Sequence, residues 1–285
     1  MSLLALSLML MQVGIDPNGG KVPGLPPELR DRPPRGGVET ARVGRPAIDV
    51  CLDTARDDPA KARALAEEWV SRTTGAQRAT GNHCLGVAAG NAGDWATAST
   101  AFIAAREDAA EPRFKARMGA LAGSALLAQG KPADALAALE SARGLAAGDA
   151  TLGSEIAQER AVALVALKRE TDAVAALAEA RQLAPQDAHA WLLSATLSRR
   201  QGDLVAAQAQ IEKAAGLDPR DPGIGLEAGV VAALGGRDAA ARQSFQSVIT
   251  AAPDSAEAAA AKTYLAQLDA PSGSAAPGQG REKTR

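Results

Sequence analysis

The chain has 285 residues, room for one or two globular domains or one long repeat array, and its 31 Lys+Arg against 33 Asp+Glu leave a formal charge of −2. That balance offers no basic face for a phosphate backbone, so nucleic acid is set aside as a partner. Hydrophobic residues make up 46% but aromatics only 2%, an alanine-led composition that favours thin helical layers over a compact core of large side chains.

In chain order, the apolar run 3–13 of "MSLLALSLMLMQVG" has the length of a signal-peptide core and is too short to span a bilayer as a helix. No Lys or Arg precedes it and no A-x-A site follows it, so a docked or unordered start, in a cytoplasmic protein, stands as the alternative to export into the periplasm. Residues 14–45, dense in Pro and Gly, read as a linker, and 269–285 as a disordered tail. No other segment is apolar enough for a membrane, so the mature chain is expected to carry no stable span. Residues 46–268 have helical periodicity almost throughout.

A repeat emerges when the prolines are aligned. Pro185, Pro219 and Pro253 are 34 apart (219 − 185, 253 − 219) and close the segments "AVAALAEARQLAP", "VAAQAQIEKAAGLDP" and "AAARQSFQSVITAAP". Alanine falls twelve residues before each proline, at Ala173, Ala207 and Ala241. A turn residue lies five earlier, at Lys168, Gly202 and Gly236. Ahead of that comes a small residue where two helices must touch: Ala161, Ala195 and Ala228, the last one residue off the slot that Gly229 fills. Each unit is helix, turn, helix and a proline exit.

This pattern resembles the tetratricopeptide repeat, whose period is 34 residues. In "HCLGVAAGNAGDWATASTAF", Leu85-Gly86 matches the family's Leu-Gly and Gly93 its turn, while Ala98, Phe102 and Ala105 match second-helix contacts. Trp95 and Trp191 take aromatic places, and Gly123, Gly130, Ala135 and Ala142 continue the register. The resemblance implies an all-α solenoid of stacked antiparallel hairpins in a right-handed superhelix. We expect a degenerate first hairpin with Ala62, Ala66 and Trp69, five repeats from about 79 to 254, and a capping helix N-capped by Ser255 that lays Tyr264 and Leu265 on the last hairpin.

The stock for chemistry is thin: two His and two Cys. His83, Cys84, Cys51 and the distant His189 do not make the four-ligand set of structural zinc, and a Cys–His nucleophile lacks an orienting third group. No glycine-rich phosphate loop is present. The expectation is therefore no cofactor, no metal and no enzyme. Cys51 and Cys84, 33 apart and on first helices of neighbouring hairpins, read either as a disulfide or as two buried thiols.

In the family, first helices line a concave groove that takes up partner peptides or helices. By register, the groove candidates are His83, Val87, Arg117, Ser124, Gln158, Val162, Leu192, Thr196, Arg199, Leu226 and Val230. That surface reads as mostly neutral and apolar, with Arg117, Arg199 and Arg200 as positive spots, and Leu192, Leu226 and Val230 as an exposed apolar patch. A family clamp for partner carboxylates would fall on His83, Val87, Ala120, Glu155 and Glu159, which are the wrong residues for it. The preferred reading is a non-catalytic scaffold for a protein or peptide partner, in the bacterial cell envelope. A small-molecule or enzyme-linked module using an inter-repeat pocket would instead need clustered titratable groups in the groove. A third reading, an assembly subunit, would use the convex face or tail.

Overall fold

The computed structural model describes residues 45–269; the expected signal segment, nearly all of the linker and most of the tail lie outside them. Thirteen α-helices occur among the described residues, without a strand. They are α1 (Ala47–Asp57), α2 (Pro59–Arg72), α3 (Gly75–Asn91), α4 (Trp95–Asp108), α5 (Pro112–Ala128), α6 (Pro132–Leu145) and α7 (Ala150–Ala166). There follow α8 (Glu170–Leu183), α9 (Ala188–Arg200), α10 (Leu204–Leu217), α11 (Pro222–Leu234), α12 (Asp238–Ala251) and α13 (Ala256–Asp269). None is long and apolar enough to cross a membrane.

Local chemistry sets the helix ends. Asp58, Asp94, Asp149, Asp187, Asp203 and Asp221 each accept a hydrogen bond from a first-turn amide, as an N-cap does. Within hairpins the first helix stops at a left-handed residue: Gly93, Gly130, Gly202 and Gly236, with Lys168 taking the same role at φ 63°. The residue after it returns its amide to the helix, as in Arg169 N–H to Leu164 O at 2.8 Å and Lys131 N–H to Leu126 O at 2.9 Å. That closure satisfies an orphan carbonyl and reverses the chain.

Packing within each hairpin rests on one pairing. A small residue of the first helix meets a large one sixteen positions later: Gly86 and Phe102, Gly123 and Leu139, Ala161 and Leu177, Ala195 and Ile211, Gly229 and Phe245. A Cβ at Gly86 would lie 2.5 Å from the Phe102 ring and one at Gly123 would lie 2.6 Å from Leu139. Gly229, and not Ala228, occupies the slot in the fifth repeat, against Phe245. The glycines let the backbones approach closely enough for the large side chain to bury.

Each second helix packs against the next first helix, and α1·α3, α5·α7, α7·α9, α9·α11 and α11·α13 bring first helices side by side. Arginines 36 residues from their acids tie neighbouring hairpins together, Arg113 to Asp149 and Arg143 to Glu179, while Arg78 to Asp108 joins the two helices of one hairpin. At the start, Cys51 of α1 and Cys84 of α3 form a disulfide with Cα atoms 6.1 Å apart. At the end, Ser255 caps α13 through the Ala258 amide, and Tyr264 stacks on Phe245 with centroids 5.5 Å apart.

Candidate functional site

A cavity of about 370 Å³ opens on the face made by α5, α7 and α9. Helical spacing places its residues: Arg117, Ala120, Leu121 and Ser124 are one face of α5, and Leu152, Glu155, Glu159 and Val162 one face of α7. Asp187, His189 and Leu193 close it from the start of α9. A smaller apolar notch of about 140 Å³ adjoins it, sharing Val162 and Leu193 and adding Val165, Leu177 and Thr196. Val162, 43% exposed, stands where the two meet.

The cavity is charged. Arg117 Nη2 lies 3.8 Å from Glu155 Oε2 at the rim. Deeper, Gln158 is buried and donates to Ser154 O, Ser154 Oγ and Asp187 Oδ2, the last at 2.7 Å. Asp187 also accepts from the His189 amide at 3.0 Å, so the cap of α9 and the wall of α7 are one hydrogen-bonded unit. Burial pushes the Glu159 carboxyl above the usual range, with the Ser124 hydroxyl and the His189 imidazole pulling the other way.

Of the sequence-predicted groove residues, the structure gathers Arg117, Ser124, Gln158 and Val162 in the cavity and Thr196 in the notch. His83 and Val87 sit on α3, apart from it. Val87 packs on the Phe102 cluster, and His83 meets Phe114 edge-on at 5.8 Å. Burial, then the Arg117 charge, lowers the His83 pKa.

Two expectations need correction. Leu192, Leu226 and Val230 do not form an exposed patch. They are half-buried, Leu192 beside Ile224 and the other two beside Phe245 and the α13 leucines. The reason is that adjacent first helices press together and consume those faces as core. Arg199 is no free positive spot either, because it is bonded to Glu227 of α11. The groove over the second to fourth repeats keeps apolar walls, as the register implies, and carries charged side chains among them. Glu155 and Glu159, which the register put at clamp positions without counting them as groove residues, line the cavity, and so do Asp187 and His189, which the register did not suggest. The signal available was that Glu155, Glu159 and Val162 recur at helical spacing on α7. Among the described residues no cluster of three or more His, Cys, Asp or Glu could hold a metal ion.

Neither a family model nor a curated protein matches the sequence. Solved structures do. PilW, described as a widely conserved type IV pilus biogenesis factor, aligns over 78% of this chain and 100% of its own at 16% identity and a TM-score of 0.63. PilF of Pseudomonas aeruginosa aligns over 77% and 97% at 15% identity and 0.59. A tetratricopeptide repeat protein from Parabacteroides merdae aligns over 67% and 73% at 17% identity and 0.52. With its period, its small-against-large pairs and this shared helix path, the chain is by fold a tetratricopeptide-repeat solenoid.

Proposed function

We propose that the chain is a non-catalytic scaffold that holds an extended segment of a partner protein against α5, α7 and α9, and that it works in the cell envelope. The observation that carries this reading is a cavity of charged and apolar side chains running into a more apolar notch on the first-helix face. A segment lying there would place a polar side chain in one and an apolar side chain in the other. Such a groove has donors, acceptors and apolar walls for a peptide, in the proportions of small binding sites. The envelope location draws support from the 3–13 apolar run, from the Cys51–Cys84 pairing, which an oxidising compartment preserves, and from the pilus-biogenesis description of PilW.

The titratable cluster also favours a second reading, a module that binds a polar small molecule in the same cavity. A photo-crosslinking residue at Val162, and separately at Val205 on α10, where exposure is 85%, separates the readings in the native host. The proposal expects a protein adduct from position 162 and none from 205. Adducts from 205 alone place the partner on the second helices, and no protein adduct from 162 overturns the groove reading.

A further inference from the structure

The cavity wall is unbalanced. Glu155, Glu159 and Asp187 line it against one guanidinium, Arg117, and one imidazole, His189. Arg117 is engaged at the rim with Glu155, and Asp187 is engaged by Gln158 and by the His189 amide. No ion pair among the described residues reaches Glu159, although burial makes its charge costly. Glu159 meets the Ser124 hydroxyl and the His189 imidazole but no guanidinium or ammonium, so the cost of burying its charge is only partly offset.

Gln158 supplies an independent observation. It is 7% exposed, and its Nε2 already donates to Ser154 and Asp187. Its Oε1 accepts no hydrogen bond from the described residues. No fully occluded side-chain nitrogen or oxygen there lacks a partner, so this oxygen opens into the cavity that Gln158 lines. The amide is thus locked with its donor inward and its acceptor presented. A fixed amide oxygen and a carboxylate that has no guanidinium or ammonium partner, lining one cavity, present acceptors to it. Its complement is a cation rich in N–H donors: a guanidinium, with five such donors and no acceptor.

We propose that the cavity receives an arginine side chain of the extended partner segment, bonded to Glu159 and to Gln158 Oε1, with an apolar neighbour of that arginine in the Val162–Leu193 notch. This rests on the groove reading above and names the chemistry that the groove selects.

His83 and His189 are the only histidines in the chain, so imidazole proton resonances of the full-length protein can follow the site directly. The probes are N-acetyl-arginine methylamide and the citrulline analogue, which keeps the shape without the charge. The arginine probe should shift the His189 resonance saturably, leave that of His83 in place, and bind at least tenfold more tightly than citrulline. Glu159→Gln should weaken the arginine probe at least tenfold; an unchanged His83 resonance and helical circular dichroism would show that the variant is folded. No saturable His189 shift, equal affinity for the two probes, or undiminished binding by Glu159→Gln would each overturn the proposal. The crosslink from Val162 is scored separately, so an intact adduct beside any of these results removes arginine selectivity and keeps the groove.

Discussion

Arg199 of α9 and Glu227 of α11 hold each other through two hydrogen bonds, Nε to Oε1 at 2.6 Å and Nη2 to Oε2 at 3.2 Å. Glu227 is only 8% exposed. The pair joins consecutive first helices at a place where the register alone suggested a free groove arginine. Arg199→Ala leaves a buried carboxylate without its cation, and we expect a loss of roughly 2–4 kcal/mol in urea unfolding. Arg199→Met with Glu227→Leu should recover most of it, since apolar replacements remove both charges at once. A single mutant as stable as the parent would contradict the structural role.

The small-against-large pairs predict opposite effects for the same substitution. Gly86→Ala drives a methyl group into the Phe102 ring and should cost about 1–3 kcal/mol by overpacking. Gly144→Ala, where nothing lies within 4 Å of the added carbon, should gain roughly 0.5–1 kcal/mol from helix propensity. Chemical denaturation of the two variants checks the contrast.

How much was legible follows from these pairs. The 34-residue period marks the hairpins because turns and close contacts constrain residue type at fixed positions. Glycine or alanine must face Phe102, Leu139 and Phe245, and only left-handed residues fit the turns. Lys168 at such a turn shows that the pattern tolerates strain. The groove was less legible, because a first helix shows its neighbours two faces and the sequence does not say which one the next hairpin covers. Leu226 and Val230 fell on the covered side, where they pack with Phe245 and Leu265. Leu226→Glu is therefore expected to lower stability by about 1–3 kcal/mol as a buried charge, and not to act as a clean binding mutant.

The disulfide ties α1 to α3 around a 33-residue separation. In the chain-entropy picture such a loop contributes about 3–4 kcal/mol. Thiol alkylation of protein taken from its native compartment should label neither cysteine before reduction and both after it. Reduced protein should gain amide exchange in α1 and α2 first. Labelling of both thiols without reductant would remove the bond and weaken the envelope reading with it.

Acid should act in two directions. The Thr97 hydrogen bonds and then Arg63 hold Asp94 below the usual carboxylate range, Arg78 does so for Asp108, and the Leu152 amide followed by Arg113 does so for Asp149. Their folded values are depressed, so their stabilisation is complete above the unfolded value, about 3.9, and is lost as pH falls through the folded values. Glu159 is raised by burial, so its protonation on acidification favours the folded state, in the window between its folded value and the ordinary glutamate value. His83, lowered by burial and then by Arg117, costs stability as pH falls through the ordinary imidazole value, so the parent's profile is the net of both directions. Urea midpoints taken from about pH 7 down to the ordinary glutamate value should fall more steeply in Glu159→Gln than in the parent, and parallel profiles would contradict the assignment.

The central claim is that partners dock on the face of α5, α7 and α9. Its most direct measurement is the Kd of the partner segment recovered by the Val162 crosslink, taken by calorimetry with the parent protein, with Val162→Lys and with Val205→Lys. Both valines are exposed, at 43% and 85%, so neither change should disturb the fold. The account predicts at least a tenfold weakening for Val162→Lys and none for Val205→Lys; equal affinity across all three, or a loss confined to Val205→Lys, would contradict it.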